Sequence, residues 1–242
     1  MDEIIKKISN ALSLIVMFCF SAVIYFNYKG FVYENGKIYL REQTAVAAEY
    51  NGIATVLPAN TAINASQKYA IGSAKAPLTL FEYSSLTCPH CADFHLDTMP
   101  LIEHEYVEKG LLRVVFVNYP LDKNSMKAAL LSECMTYDNY APFVNKLFYE
   151  QRSWWLDKGS EHLTRYAAEF GLSYDEAIAC LKDKKKATDI ATTRYEAYKQ
   201  LNIKGTPAFL VVGSDGVEII YGAKSYSSFK EYLDSRLARV QR

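Results

Sequence analysis

Cys88-Pro89-His90-Cys91 joins two runs of different periodicity. Before it, Pro77-Leu78-Thr79-Leu80-Phe81-Glu82-Tyr83 is a short run with β-branched Thr79 and aromatic Phe81 and Tyr83, and reads as a strand. After it, Ala92-Asp93-Phe94-His95-Leu96-Asp97 continues through Ile102 and Tyr106 to Lys109-Gly110 and reads as a helix. Its apolar positions are Phe94, Leu96, Met99, Leu101, Ile102 and Tyr106, which fit a helical period poorly at first and better later. Pro100 is expected to kink this helix and Gly110 to end it. The two cysteines therefore stand where a strand hands over to a helix N-terminus.

That position has chemical consequences. Unpaired N–H groups and the helix dipole favour negative charge there. Cys88 is expected to be the exposed, nucleophilic thiolate, in a setting where thiol pKa values fall to about 3.5–7.5. His90 is expected to add positive charge near the sulfur. Each pKa unit is worth about 1.4 kcal/mol, or about 30 mV for a two-electron couple. Stabilising the reduced form makes the disulfide a stronger oxidant. Cys91, one turn further in, is expected to be more buried and to act as the resolving thiol. The competing reading is half of a zinc site, but no second pair of ligands stands at suitable spacing, so no metal is expected.

The second motif is Lys204-Gly205-Thr206-Pro207-Ala208-Phe209-Leu210-Val211-Val212. A proline opening an apolar strand lacks a ladder donor. A cis Thr206–Pro207 bond in a tight turn accounts for it; an ordinary trans proline at a strand start is the alternative.

Together the two motifs resemble the thioredoxin superfamily, and most closely its DsbA-like branch. Cys88-Pro89-His90-Cys91 is similar to the DsbA-type active site. Gly205-Thr206-Pro207-Ala208-Phe209 resembles the cis-proline loop that faces it. The 115 residues at positions 92 to 206 resemble the spacing of members with an inserted helical domain. The resemblance implies an α/β thioredoxin-like fold over residues 69–242, with the insertion at about residues 120–200. It assigns Cys88, Pro89, His90 and Cys91 to catalysis, and Thr206 and Pro207 to the substrate groove. Glu82 matches a buried acid found in many members. No lysine stands at the adjacent-strand position where some members place its partner; Leu112-Arg113-Val114-Val115 stands there instead. An edge-exposed strand carboxylate is the other reading of Glu82.

The residues of the insertion read as about five helices. Ser125–Met135 follows a capping region at Asp122 and Asn124, and 141–151 carries Phe143, Val144, Leu147 and Phe148 at helical spacing. Ser160 opens a helix ending at Gly171, Ser173-Tyr174-Asp175-Glu176 resembles a capping box, and 187–201 is amphipathic. Beyond Pro207, two strand-like runs flank Gly213-Ser214-Asp215-Gly216, a hairpin signal, and Ser227–Val240 closes the chain as a helix.

Cys134 and Cys180 fall in two of these helices. They resemble a pair that forms a structural disulfide in a DsbA-like subgroup; two buried free thiols are the alternative. A bridge spanning 46 residues would contribute roughly 4 kcal/mol in the chain-entropy model and would imply an oxidising compartment.

Residues 1–26 contain a charge-free run, Ala11 to Phe26, that follows Lys6-Lys7. It reads as a signal sequence or, lacking a small-residue cleavage site, a membrane anchor. Cys19 within it is an apolar filler. Residues 27–68 are expected to be a linker, with Gly36 to Tyr50 as one helix that is either an oligomerisation segment or part of a plain tether.

Lys+Arg and Asp+Glu are both 27, which gives no electrostatic pull towards nucleic acid. The resemblance implies a periplasmic thiol–disulfide oxidoreductase without a cofactor, anchored at the inner membrane or secreted after cleavage. Its partners would be unfolded or thiol-containing exported proteins and a membrane oxidase of DsbB type. Thr206 before the proline leaves room for an isomerase or reductase, which would favour a homo-oligomer and a reducing partner. A membrane-anchored chaperone without redox chemistry is the reading from another class.

Overall fold

The structure, a computed structural model, describes residues 31–34, 37–40, 54–57, 61, 63, 69–156 and 160–241. The chain divides into two units, residues 1–52 and 53–242. In the first, Phe31–Glu34 (β1) and Lys37–Leu40 (β2) pair as an antiparallel hairpin with Glu34 opposite Lys37. The helix expected from Gly36 is thereby corrected at 37–40, where the chain is extended and takes a strand partner. The remainder of that expected helix, and the expected anchor at 1–26, lie outside the described residues. Among the described residues no helix is long and apolar enough to cross a membrane.

The second unit is built on a six-stranded sheet. Its strands are Thr55–Leu57 (β3), Ala70–Ile71 (β4), Leu78–Ser84 (β5), Leu112–Asn118 (β6), Ala208–Gly213 (β7) and Gly216–Tyr221 (β8). Their spatial order is β3-β8-β7-β5-β6-β4. β5 and β6 are parallel, and every other neighbour is antiparallel. β3 lies in the stretch expected to be linker; it extends the sheet by pairing with β8.

β5 and β7 are central, covered on both faces, and therefore read as nearly continuous apolar runs. Leu78, Leu80, Phe209 and Val211 face one core with Phe94, Ile102, Phe229 and Leu233. Phe81, Tyr83, Val115, Leu210 and Ile219 face another. Each such side chain, fully buried, contributes about 1.5–3 kcal/mol.

After β5 a helical rod covers residues 89–107. α-Helical Pro89–Asp93 (α1) and Met99–Ile102 (α2) alternate with π-helical Phe94–Thr98 and Glu103–Val107. The wide turns rotate the buried face, so Phe94, Met99, Ile102 and Tyr106 point inward while Leu96 and Leu101 are exposed. This explains the poor helical phase of the sequence. Pro100 sits in the first turn of α2, where its missing N–H is tolerated. Gly110, at φ +70°, ends the rod in a conformation that favours glycine.

The insertion contains Lys123–Ser132 (α3), Tyr137–Tyr149 (α4), Gln151–Trp155 (α5), Glu161–Glu169 (α6), Tyr174–Leu181 (α7) and Lys184–Gln200 (α8). Asp122 caps α3 reciprocally with Ser125, and Ser173 caps α7 with Glu176. Cys134 and Cys180 are joined by a disulfide, S–S 2.08 Å, which ties the end of α3 to α7. Tyr226–Val240 (α9) closes the chain, capped by Ser225.

Candidate redox site

β5 ends at Ser84, and residues 85–88 turn the chain into α1. The N–H of Cys88 donates to Ser85 O at 3.0 Å, and Cys88 is the N-cap of α1 with extended backbone angles. Pro89 occupies the first helical turn, where no N–H is needed. The carbonyl of Cys88 accepts from the N–H groups of Cys91 at 3.1 Å and Ala92 at 3.2 Å.

Thr206–Pro207 is a cis peptide bond. The loop before β7 lies against the cysteines: the Cys88 thiol donates to Thr206 O at 3.3 Å. The expectation that Cys88 is exposed is therefore corrected. Cys88 is 8% exposed and Cys91 0%, so the first thiol is the more accessible of two buried ones.

Their electrostatics differ sharply. A hydrogen bond from the Cys91 thiol, against the opposing effect of burial, brings the Cys88 pKa down to about 6. The Thr206 side chain and the backbone N–H groups of Cys91 and His90 act in the same direction. Burial, and then Cys88 itself, push the Cys91 thiol well up. The His90 ring is exposed, with Nδ1 3.8 Å from Asp93 Oδ2, and the backbone N–H of His90 is one of the groups that favour the thiolate.

Glu82 is fully buried on β5, in register with Phe116 on β6 and Phe209 on β7. Because β5 is central, the edge-exposed reading fails. Burial raises its pKa to about 8, Ser84 lowers it and Glu103 raises it further. Neither carboxyl oxygen has a hydrogen-bond partner. The facing group is His95, whose Nδ1 lies 4.0 Å from Glu82 Oε2. Burial brings the His95 pKa down to about 4, opposed by a 2.5 Å hydrogen bond between Nε2 and Asn145 Oδ1. The neutral ring donates from Nε2, which leaves Nδ1 as an acceptor towards Glu82. These groups line a cavity of about 20 Å³, room for a single water. The buried Ser84 hydroxyl, without a hydrogen-bond partner of its own, lines the same cavity.

The insertion also reaches the catalytic turn. Thr87 Oγ1 donates to Asp122 Oδ2 at 2.7 Å, and Gln151 Nε2 donates to Leu86 O at 2.9 Å and Cys88 O at 3.1 Å. Asp122 was legible only as a helix cap. His95, Asn145 and Gln151 carry no local signal, because their partners come from distant elements. Among the described residues no group of histidines, cysteines and carboxylates is placed to hold a metal ion.

A family model described as thioredoxin matches residues 64–235, well over half of the chain. A putative protein-disulfide oxidoreductase of Rickettsia typhi is 32% identical over 146 residues, 59% of this chain and 54% of the relative. The chain thus spans about half the length of such relatives. Disulfide bond formation protein D of Bacillus subtilis is 27% identical over 174 residues, 69% of this chain and 76% of that protein. Among solved structures, alpha-DsbA1 of Wolbachia pipientis superposes with a TM-score of 0.65 at 30% identity, covering 71% of this chain and 91% of that one.

Proposed function

The chain belongs to the thioredoxin family, alongside DsbA-like members, and from that membership we propose that it is a thiol–disulfide oxidoreductase that introduces disulfide bonds into exported proteins. The observation that carries this reading is the asymmetry of the dithiol: Cys88 is favoured as a thiolate against the cis Thr206–Pro207 loop, while Cys91 is held protonated.

In the oxidised enzyme Cys88 and Cys91 share a disulfide. A substrate thiolate attacks the Cys88 sulfur, the Cys88–Cys91 bond breaks, and Cys91 takes up the electron pair and a proton. A second substrate thiolate then attacks the substrate sulfur of the mixed disulfide. Cys88 leaves as the thiolate its surroundings favour, and two electrons have passed from substrate to enzyme. Pro207 and Thr206 line the groove where the substrate backbone would lie. Glu82, whose pKa burial raises to about 8, would exchange a proton with Cys91. A membrane oxidase of DsbB type would restore the disulfide. The Cys134–Cys180 bridge supports an oxidising compartment such as the periplasm.

Thr206 favours an isomerase as the second reading. Reduced and scrambled ribonuclease, assayed side by side, separate the two. Oxidation of the reduced substrate, abolished by Cys88→Ala, with no gain on the scrambled one, is the expected result. Activity only on the scrambled substrate would overturn the oxidase reading, and Cys88-independent activity would overturn redox catalysis altogether.

A further inference from the structure

Gln151 opens α5, and its side-chain amide spends both hydrogens on the catalytic turn, at Leu86 O and Cys88 O. It is 6% exposed, so water does not compete for these bonds. The helix that carries it is itself fixed. Trp154 is buried and donates from Nε1 to Leu147 O at 2.8 Å, and Asn124 at the start of α3 donates to Trp155 O at 2.6 Å. The amide group is therefore held in place by α3 and α4 rather than by the turn it contacts.

The carbonyl it reaches is the one that starts α1. Cys88 O already accepts from the N–H groups of Cys91 and Ala92, and the N–H groups of His90 and Cys91 are among those that favour charge on the Cys88 sulfur. A donor on this carbonyl acts twice. It fixes the peptide plane from which the first turn is built, and it draws partial negative charge away from the residue that carries the thiolate. Asp122 grips the preceding residue, Thr87, from the same layer.

We infer that Gln151 is a positioning residue of the redox site: by anchoring the Leu86 and Cys88 carbonyls to the inserted helical layer, it sets how strongly the dithiol oxidises. The inference deepens the proposed function and rests on it for its meaning, although the thiol chemistry it alters can be measured on its own. A turn held only by its own residues would leave the insertion without a part in the redox chemistry; Gln151 gives it one.

The test uses two variants of similar volume. Gln151→Met keeps the shape and loses both donors. Gln151→Glu places a carboxylate against two carbonyl oxygens. In each, the rate of Cys88 alkylation is followed against pH in the reduced protein, and exchange of the Cys91 and Ala92 amides is followed by NMR. The expected result for Gln151→Met is a midpoint raised by about half to one pH unit, the scale of one hydrogen bond, with faster exchange at both amides. A one-unit rise corresponds to a potential lower by about 30 mV against glutathione. Gln151→Glu is expected to move the midpoint in the same direction. Midpoints unmoved in folded variants would overturn the inference. Because alkylation needs no protein substrate, that failure stands apart from a failure of the oxidase assay on the unsubstituted chain.

Discussion

The Glu82 carboxyl and the His95 ring face each other inside the fold, Oε2 to Nδ1 4.0 Å, both out of reach of solvent. Burial moves the two pKa values in opposite directions, Glu82 up to about 8 and His95 down to about 4, so both groups are neutral together across the range between. A buried carboxyl and imidazole that are both neutral avoid the desolvation cost of an ion pair.

This pairing has a signature in stability against pH. Glu82 binds its proton more tightly folded than unfolded. Its contribution is complete below the unfolded value near 4.5 and is lost as pH rises through 8. His95 runs the other way: its contribution is present above 6.5 and lost as pH falls towards 4. The two slopes oppose each other between 4.5 and 6.5, and from 6.5 to 8 only Glu82 acts. In the oxidised protein, where Cys88 and Cys91 do not titrate, Glu82→Gln is expected to gain stability over the unsubstituted chain as pH rises from 5 to 8, on the order of a few kcal/mol. Denaturant unfolding at several pH values measures it; a difference independent of pH contradicts the raised Glu82.

Thr206→Val removes a buried hydroxyl that has no hydrogen-bond partner beside the reduced dithiol and is free to turn towards the Cys88 thiolate, and it keeps the side-chain shape. The Cys88 midpoint is expected to rise by up to about one pH unit, and the potential to fall by up to about 30 mV. Redox equilibration with glutathione reads the second quantity. An unchanged or higher potential would remove Thr206 from the site's electrostatics.

The Cys134–Cys180 bridge closes a loop with a sequence separation of 46. Replacing both cysteines by alanine is expected to cost about 2–4 kcal/mol in urea unfolding. The same loss should follow in the intact protein when reductant opens the bridge. A double variant as stable as the disulfide-bonded protein would show that the α3–α7 contact holds without it.

Local signals carried much of this architecture. The strand before Cys88, the glycine that ends the rod and the β7–β8 hairpin are each marked by periodicity or by a turn residue within a few positions. What escaped the sequence depends on distance or on phase. Leu96 and Leu101 count as inward on an ideal helix, yet the π-helical turns rotate them outward. Glu82 could be taken for an edge residue because strand order is not written in a single strand. β3, with three residues, is too short to show a period, and only β8 makes it a strand. Gln151 lies 65 and 63 residues from the carbonyls it holds, so nothing beside it in the chain signals its role.

Everything proposed for the dithiol rests on Cys88 being the thiolate. The most direct measurement is the rate of alkylation of the fully reduced protein across pH 4 to 10, with the modified residue identified by mass spectrometry. A midpoint near 6 is expected, with the label on Cys88 and Cys91 unmodified through neutrality. A midpoint near the ordinary thiol value of 9.0, or a label that appears first on Cys91, would contradict it.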